Sequence, residues 1–454
     1  MSEGPRLLGP DGRAIRKEQP LLVDAFGRAV HGPADQPPPE RPRLRALELI
    51  AAQDHDREVL IARDPLGVVE NPVVLRLEVL PLLQMLDGRS TIEELSKRAV
   101  AETGDVRHGE SIRRFIEDLD RLYLLESPRF DERRREQAQA YRRETVREPV
   151  LAGTSYPAEP EDLKRFLAGH LAEARAIREA AGSPAPPADP AAVAMPHLDL
   201  HRAGAAIGLG FLAVPESPPP DLVVLFGTGH ALYDRIVALT DKTIRTPLGD
   251  LLCDRDAVAR VAERVGEAAF DEETAFRFEH SIEFPALYLQ YRYGAHSKLL
   301  PILCGGFHRL LLEGRRPQDD PPLAATIAAV QDEIDRARAA GRRVACLAAV
   351  DLSHVGARFG DPDPLDAEML DAIRQIDEAA LEAGCSGNAE TWFDAVGDHG
   401  DSTRMCGYSA MYALLAVARP APGTLLRYEQ STEPGGSVVT CASLAWPAAG
   451  GPVS

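Results

Sequence analysis

The chain has 454 residues, with 51 Lys and Arg against 70 Asp and Glu, and a formal net charge of −19 at pH 7. Its length corresponds to about two to four domains. The composition, with 44% hydrophobic and 27% charged residues, excludes a mostly disordered chain, a collagen and a small protein held together by disulfides. Because nucleic acids and anionic membranes are bound by basic surfaces, the acidic balance argues against both as partners.

Targeting features are not evident in the sequence. The first residues lack the cationic stretch and apolar core of a secretory signal, and no run of about 18 apolar residues occurs. The 6 cysteines are widely spaced in the second half and form no CxxC pair. We therefore expect a cytoplasmic protein with reduced thiols and no membrane-spanning segment.

The first 130 residues predict a tail and a small domain. Residues 1–40 are rich in Gly and Pro and predict a disordered tail. In residues 41–130, apolar runs at 47–50 and 58–61 flank a polar segment and predict a hairpin.

Helical patterns follow in the same region. Ser90 with Glu93 three residues on is typical of a capping-box helix start. A further helix has apolar residues at the spacing of one buried face: Ile112, Phe115, Ile116, Leu119 and Leu122. The order of hairpin and helices predicts a winged-helix domain, and the Arg- and Glu-rich residues 131–148 predict a solvated linker helix.

Residues 149–454 predict an α/β domain with a largely parallel sheet. Short apolar runs indicate strands, at 191–195, 222–226, 299–303 and 344–350. Amphipathic segments between and after them indicate helices, at 257–269, 324–339 and 364–383. Continuous apolar strands that alternate with helices are typical of a sheet covered on both faces.

Polar residues follow three of these strands. Pro196-His197, Gly227-Thr228-Gly229-His230 and Asp351-Leu352-Ser353-His354 each begin where an apolar run ends. Ligands of open α/β sheets bind beyond the carboxyl ends of the strands, so these groups could converge there. Two imidazoles with a carboxylate or thiolate can form an open metal site. Each histidine is equally compatible with a hydrogen-bonded structural residue, and Asp351 with a turn cap.

Two other segments carry groups of the same chemistry. Glu279 or Ser281 marks the start of a helix on which His280 and Glu283, three apart, share one face. They could pair with each other, face the crevice or lie on an ordinary surface helix. Cys406 precedes an apolar helix at 409–417, where a lone cysteine is also typical of a small buried side chain.

These motifs together resemble the Memo family, known in bacteria and archaea as protein B of the AmmeMemoRadiSam system. The resemblance covers residues from about 150 to 446. It is carried by the segments Ala-Gly-Thr-Ser-Tyr-Pro at 152–157, Pro-His at 196–197, Gly-Thr-Gly-His at 227–230, Thr-Pro-Leu-Gly at 246–249, Glu-His-Ser-Ile-Glu at 279–283, Asp-Leu-Ser-His at 351–354 and Cys-Gly-Tyr at 406–408.

The resemblance implies a fold similar to class III extradiol dioxygenases, which use non-haem iron. It also implies metal ligands at His197, His230 and Cys406, in a cleft lined by the candidate catalytic residues Asp351, His354 and His280. Imidazole and thiolate suit a transition metal, and iron or copper is expected before zinc.

The sequence departs from the family pattern in two places. Leu198-Asp199-Leu200-His201 stands where the family has Ala-Gly-aromatic, and Gly227-Thr228-Gly229-His230 where it commonly has Gly-Pro-Ser-His. Asp199 and His201 could add ligands or narrow the pocket, and we take Asp199 and Glu283 as candidate substrate-binding residues.

The N-terminal domain, from about Leu44 to Ser127, resembles PqqD-type winged-helix modules. The resemblance is carried by residues 86–95 and by the helix end at 119–125. It implies recognition of a precursor peptide as an added strand. A generic winged helix is the alternative, although the chain lacks the dense basic helix of a DNA reader.

Three functional hypotheses follow. The first is a metal-dependent redox enzyme on a small molecule or peptide, with His354 or His280 moving protons. The second is a non-catalytic peptide-binding adaptor for a radical-SAM enzyme and other proteins of the AmmeMemoRadiSam system. The third is a true extradiol dioxygenase that uses His197, His230 and an acidic residue.

Overall fold

The computed structural model describes residues 36–54, 57–69, 71–180, 185–361, 365–433 and 436–449. The chain divides into two compact units, Met1–Ala140 and Tyr141–Ser454. Most of the predicted tail, residues 1–35, lies outside the described residues. Among the helices described, none is long and apolar enough to cross a membrane.

The first unit contains a three-stranded antiparallel sheet in the order β1-β2-β3, followed by helices. The predicted hairpin is confirmed, with Asp54 opposite Arg57 at its closed end. One face of the sheet packs with the third helix on a core that includes Leu60, Leu75, Ile116 and Leu119. Its elements are Glu48–Asp54 (β1), Arg57–Arg63 (β2), Val73–Arg76 (β3), Leu80–Gln84 (α1), Ile92–Thr103 (α2), Val106–Arg121 (α3) and Pro128–Arg143 (α4), which runs across the division.

Two predictions for this region need correction. Helix α2 is capped by Thr91 with Glu94, one residue later than the predicted pair of Ser90 and Glu93. The sequence fits a capping box at either position, Ser90 with Glu93 or Thr91 with Glu94. The backbone N–H of Ile92 donates to the carbonyl of Glu40, and a contact between residues so far apart in sequence cannot be predicted from residue spacing.

The predicted linker helix ends early. Helix α4 stops at Arg143, and Val146–Arg147 forms a short strand, β4. Residues 131–140 are exposed or half-buried, as predicted for a solvated helix, whereas Tyr141 and Arg147 are buried. Arg147 can be buried because it forms an ion pair with Glu283, which lies 136 residues further along the chain.

The second unit is built on an eight-stranded mixed sheet in the order β12-β14-β5-β11-β6-β10-β7, with β13 paired to β14. A small second sheet has the order β4-β8-β9. The strands are Pro190–Met195 (β5), Leu222–Thr228 (β6), Val237–Leu239 (β7), Thr243–Thr246 (β8), Gly249–Leu251 (β9), Lys298–Cys304 (β10), Val344–Ala349 (β11), Asp351–Gly356 (β12), Thr424–Glu433 (β13) and Ser437–Pro447 (β14).

Helices cover both faces of the large sheet. Alternate residues of one strand enter different cores: Val224 packs with α7, α10 and α13, whereas Val223 and Leu225 pack with α5, α6 and α8. The helices are Pro160–Ala180 (α5), Leu200–Ala213 (α6), Arg255–Val265 (α7), His280–Tyr293 (α8), His308–Leu312 (α9), Pro321–Ala339 (α10), Ala367–Cys385 (α11), Ala389–Gly397 (α12) and Tyr408–Ala418 (α13).

The α/β fold class is confirmed, and the sheet is parallel only in its four central strands. β5, β11, β6 and β10 pair in parallel, while antiparallel strands flank them on both sides. Met195, Ala349 and Gly227 lie side by side in the register. The segments that follow β5, β11 and β6 therefore leave the sheet at one edge.

Candidate metal centre

His197 follows β5 and is the most buried member of the site, with 1% of its surface exposed. Its backbone N–H and that of Leu198 donate to Oδ1 of Asp351, at 3.1 and 3.2 Å. Its Nε2 lies 3.3 Å from Sγ of Cys406 and 3.6 Å from Oδ2 of Asp351. Its Nδ1 is buried and has no hydrogen-bond partner among the residues described.

His230 follows β6 and is held by Glu279. Its backbone N–H donates to Oε2 of Glu279 at 3.0 Å, and its Nδ1 lies 3.0 Å from Oε1. The glycines before it serve close packing rather than a sharp turn, because neither has a positive φ. A Cβ at Gly227 would lie 2.6 Å from Oγ of Ser281.

His280 is the first residue of α8, and Glu279 is the N-cap of that helix. The Glu279 carboxylate accepts from the backbone N–H of Ser281 at 3.0 Å and lies 3.3 Å from Nδ1 of His280. The ring centroids of His230 and His280 are 4.8 Å apart and nearly parallel. Glu279 thus joins two imidazoles from different elements.

Cys406 lies in the loop before α13, and its sulfur is surrounded by imidazoles. It is 3.3 Å from His197 Nε2, and the charges of Cys406, His230 and His354 influence one another. The loop contains two non-glycine residues with positive φ, Asp401 and Arg404. Arg404 Nε donates to the carbonyl of His354 at 3.0 Å, which ties this loop to β12.

Asp351 and His354 belong to β12, which begins where β11 ends. Asp351 is 2% exposed and holds the backbone after β5. His354 Nδ1 lies 2.9 Å from the carbonyl of Leu352, so Nε2 is the nitrogen left for the cleft. Its ring packs edge-on against Phe359, with centroids 5.1 Å apart.

The donor atoms form two overlapping groups that share His197. His197, His230 and His280 form one, and His197, Asp351 and Cys406 the other. Within each group the ligand atoms lie within 4.8 Å of one another. The structure therefore brings together six of the eight residues predicted for the site, His354 included through Cys406.

The two remaining residues, Asp199 and Glu283, have structural partners. Asp199 is the N-cap of α6 and accepts from the backbone N–H of His201 at 2.9 Å. Glu283 is fully buried in an ion pair with Arg147 and also accepts from Tyr156 and from the backbone of Leu151.

His201, named as a candidate ligand, packs against another element. Its ring lies 5.0 Å from that of Phe166 on α5. Sequence reasoning did not select Glu279 or Arg404. Glu279 had a recognisable feature, a helix cap next to His280, whereas Arg404 had none.

Burial and mutual charge set the proton affinities of the cluster. Burial opposes charge on His197, but Asp351 and Cys406 raise its pKa to about 9. Burial likewise opposes charge on His230, yet Glu279 and Cys406 raise its pKa well above the usual value. Burial, against the attraction of Glu279, lowers the pKa of His280 to about 3. Burial disfavours the thiolate, but His197 and His354 hold the pKa of Cys406 well below its ordinary value.

The arrangement suits a metal ion better than a cysteine nucleophile with an Asp–His relay. Such a relay needs the carboxylate and the thiol on opposite nitrogens of one imidazole. Here Cys406 and Asp351 approach the same nitrogen, Nε2 of His197, while the opposite nitrogen, Nδ1, is buried without a hydrogen-bond partner in the described part of the chain. Imidazoles and a thiolate that converge in this way match transition-metal ligands, with Glu279 as the outer carboxylate.

Comparison with known proteins agrees with this architecture. The family model described as Memo-like protein matches residues 147–445. A MEMO1 family protein of Aquifex aeolicus is 28% identical over 360 residues, covering 78% of this chain and 88% of that protein. A MEMO1 family protein of Thermus thermophilus is 28% identical over 348 residues, covering 77% of this chain and 96% of that protein.

The similarity to these bacterial proteins extends into the first unit, because residues 141–454 alone cannot supply 78% of the chain. A MEMO1 family protein of Methanosarcina acetivorans is different: 95% of it aligns with 64% of this chain, at 26% identity. The match of the family model to well over half of the chain confirms the resemblance found in the sequence, and the chain belongs to the Memo family.

Proposed function

We propose that this Memo-family protein holds a transition metal through His197, His230 and Cys406 and uses the loaded cleft for redox chemistry on a small molecule or peptide. The observation that carries the proposal is the approach of Cys406 Sγ and Asp351 Oδ2 to one nitrogen of His197. Iron or copper fits two imidazoles and a thiolate, and a bound ion would supply Lewis acidity and one-electron redox chemistry.

The surrounding residues have distinct tasks in this proposal. Glu279 accepts from Nδ1 of His230 and so leaves Nε2 for the ion. Asp351 fixes the backbone at His197 through two N–H donors. His354, whose Nδ1 is taken up by a backbone carbonyl, can accept or donate a proton at Nε2.

Elemental analysis of the full-length protein, purified without a His tag or chelator, tests the metal site. We expect near-stoichiometric iron or copper in the wild type, a lower content in Cys406→Ser and loss of the metal in the double variant His197→Ala/His230→Ala. Cys385→Ser is the matched control, since Cys385 is also half-buried but lies on α11 outside both ligand groups. Equal metal content in the wild type and the double variant would refute the site.

A peptide-binding adaptor is the second candidate function, and an exposed apolar face on the sheet of the first unit supports it. Ile50, Ile61 and Val74 lie in one row across its three strands, on the face opposite the core. Ile50 and Val74 are 37% and 38% exposed, on the two edge strands. An extended peptide can bind such a sheet by adding a strand.

Selection from a displayed random-peptide library tests this candidate. We expect extended apolar peptides whose binding is lost in Val74→Lys and kept in Val106→Lys, a control at an exposed valine of the same unit. Association with a radical-SAM enzyme belongs to this proposal. Failure to enrich any peptide, or equal loss in both variants, would contradict it.

A true extradiol dioxygenase is the third candidate, because Asp351 adds a carboxylate to the second ligand group. Cleavage of catechol after addition of Fe(II) would support it if Asp351→Asn abolished the activity and Cys406→Ser kept it. A dependence on Cys406 rather than Asp351 would contradict it.

A further inference from the structure

We propose that His280 is a metal ligand, and that His197, His230 and His280 form a three-imidazole set that binds a divalent ion without the Cys406 thiol. The sequence assigned His280 an acid–base role only. This inference rests on the proposed metal-binding function for its location but not on the participation of Cys406.

The three imidazole rings lie close to one another. Their centroids are 5.2 Å apart for His197 and His230, 5.1 Å for His197 and His280, and 4.8 Å for His230 and His280. One nitrogen from each ring lies within 4.8 Å of the others. Tetrahedral ligand nitrogens at about 2.1 Å from one ion are separated by roughly 3.4 Å, so the three rings need to close in by only a small amount to share an ion.

Glu279 orients two of the three rings. Its carboxylate lies 3.0 Å from Nδ1 of His230 and 3.3 Å from Nδ1 of His280. Each ring can therefore donate its Nδ1–H to the carboxylate and offer Nε2 as a ligand. A carboxylate that orients a ligating imidazole in this way is a general feature of metal sites.

The three imidazoles also pack ring against ring. His197 is buried, while the side chains of His230 and His280 are 38% and 36% exposed. Hydrogen bonds between the rings do not account for this packing, because the Nδ1 atoms of both His230 and His280 lie against the Glu279 carboxylate.

The two ligand groups would select different ions. Three imidazoles suit Fe(II), Co(II) and Zn(II), whereas a group containing a thiolate favours softer ions such as Cu(I). His197 belongs to both groups, so one ion could exchange between them or draw ligands from both.

Titration of the full-length apoprotein with Co(II) tests the inference, with absorbance as the readout. A thiolate ligand gives a charge-transfer band in the near ultraviolet, and tetrahedral nitrogen coordination gives visible d–d bands. In Cys406→Ser we expect loss of the first band, retention of the second and a Kd within about tenfold of wild type. In Cys406→Ser/His280→Ala we expect Co(II) affinity to fall by more than the roughly 10- to 100-fold that an outer partner costs.

Controls separate a ligand from a packing residue. Cys406→Ser/His354→Ala removes an imidazole that belongs to neither ligand group, and it should keep the d–d bands of Cys406→Ser. His280→Gln tests whether a polar side chain of similar length preserves the fold at the helix start, checked by circular dichroism.

The outcomes distinguish the two proposals. No Co(II) uptake by the wild type overturns both of them. The role of His280 alone is overturned by a different result. In that case the wild type shows the thiolate band, and His280→Ala and Cys406→Ser/His280→Ala keep the Co(II) affinity and d–d spectra of their parent proteins. Complete loss of Co(II) in Cys406→Ser alone also overturns the three-imidazole set while it supports the thiolate site.

Discussion

Glu279 binds His230 at two points, through the backbone N–H at 3.0 Å and through Nδ1 at 3.0 Å. The same carboxylate caps α8 and lies against His280. Burial alone would raise the pKa of this carboxyl, but His230 and His280 hold it well below its usual range. One charged residue therefore connects the end of β6 to the start of α8.

Replacement of Glu279 by Gln should weaken metal binding without unfolding the protein. The amide keeps an oxygen for the helix cap but loses the charge that fixes the Nδ1–H tautomers of His230 and His280. Loss of an outer-shell carboxylate typically costs about 10- to 100-fold in metal affinity. Isothermal titration with Co(II) measures this effect.

Asp366→Asn is the control for the cap itself. Asp366 is the N-cap of α11 and accepts from the backbone N–H of Met369 at 2.8 Å. Equal affinity losses in Glu279→Gln and Asp366→Asn would show that capping, and not imidazole orientation, is responsible.

Cys406 should be the first thiol to react with iodoacetamide at pH 7. Although burial disfavours its thiolate, the surrounding imidazoles of His197 and His354 keep its pKa well below the ordinary value. Cys385 is equally half-buried, but burial raises its pKa. Since the thiolate is the reactive form, mass spectrometry should find Cys406 labelled before Cys385, and bound metal should slow this labelling. Faster labelling of Cys385 would contradict the electrostatic argument.

The convergence of strand ends could be predicted because it depends on local patterns. Apolar runs mark β5, β6 and β11, and parallel neighbours place His197, His230 and Asp351 at one edge. The predicted strands are present at nearly the predicted residues. The hairpin of β13 and β14 was not predicted, since polar residues such as Ser431 and Thr440 break its apolar pattern.

The tasks of individual carboxylates could not be predicted, because they depend on distant partners. Glu279 and Glu283 are four apart on the same helix start, yet one holds imidazoles and the other holds Arg147, 136 residues away in sequence. Spacing shows which side chains share a helix face but not what the opposing element presents.

Glu283→Gln should destabilise the fold rather than impair ligand binding alone. Both partners of its ion pair with Arg147 are buried, and Arg147 also donates to the carbonyls of Phe276 and Glu279 at 3.0 Å. Breaking one side of a buried pair leaves an uncompensated charge and costs about 3–5 kcal/mol. Chemical denaturation measures the loss. Wild-type stability with weakened substrate binding would instead support the role expected from the sequence.

Substitutions of Arg404 should separate backbone strain from side-chain contacts. Its φ of 57° lies in the left-handed region that favours glycine, so Arg404→Gly should be more stable than Arg404→Ala by about 1 kcal/mol. Both variants lose the bond to the His354 carbonyl and the ion pair with Asp361, so both should bind metal more weakly. Arg419, with φ 44° at the end of α13, is the control. Its glycine and alanine variants should differ in stability but match wild type in metal affinity.

His170 should contribute to the loss of stability in acid. Burial, with a smaller effect of His201, lowers its pKa to about 4, and its Nδ1 lies 2.7 Å from the hydroxyl of Tyr288. Because the unfolded side chain has a pKa near 6.5, the unfolded state binds more protons between about pH 6.5 and 4. The contribution is therefore present above pH 6.5 and is lost as the pH falls towards 4, at no more than about 1.4 kcal/mol per pH unit.

His170→Asn removes the titrating group, so its free energy of unfolding should depend less on pH across this interval. Urea denaturation at pH 4.5, 5.5 and 6.5 measures the slope. His201→Asn is the matched control, since His201 is exposed and packs against the same Phe166 ring as His170. It should retain most of the wild-type slope, because burial of His170, the main cause of its lowered pKa, is unchanged. An unaltered slope in His170→Asn would show that other groups control the acid response.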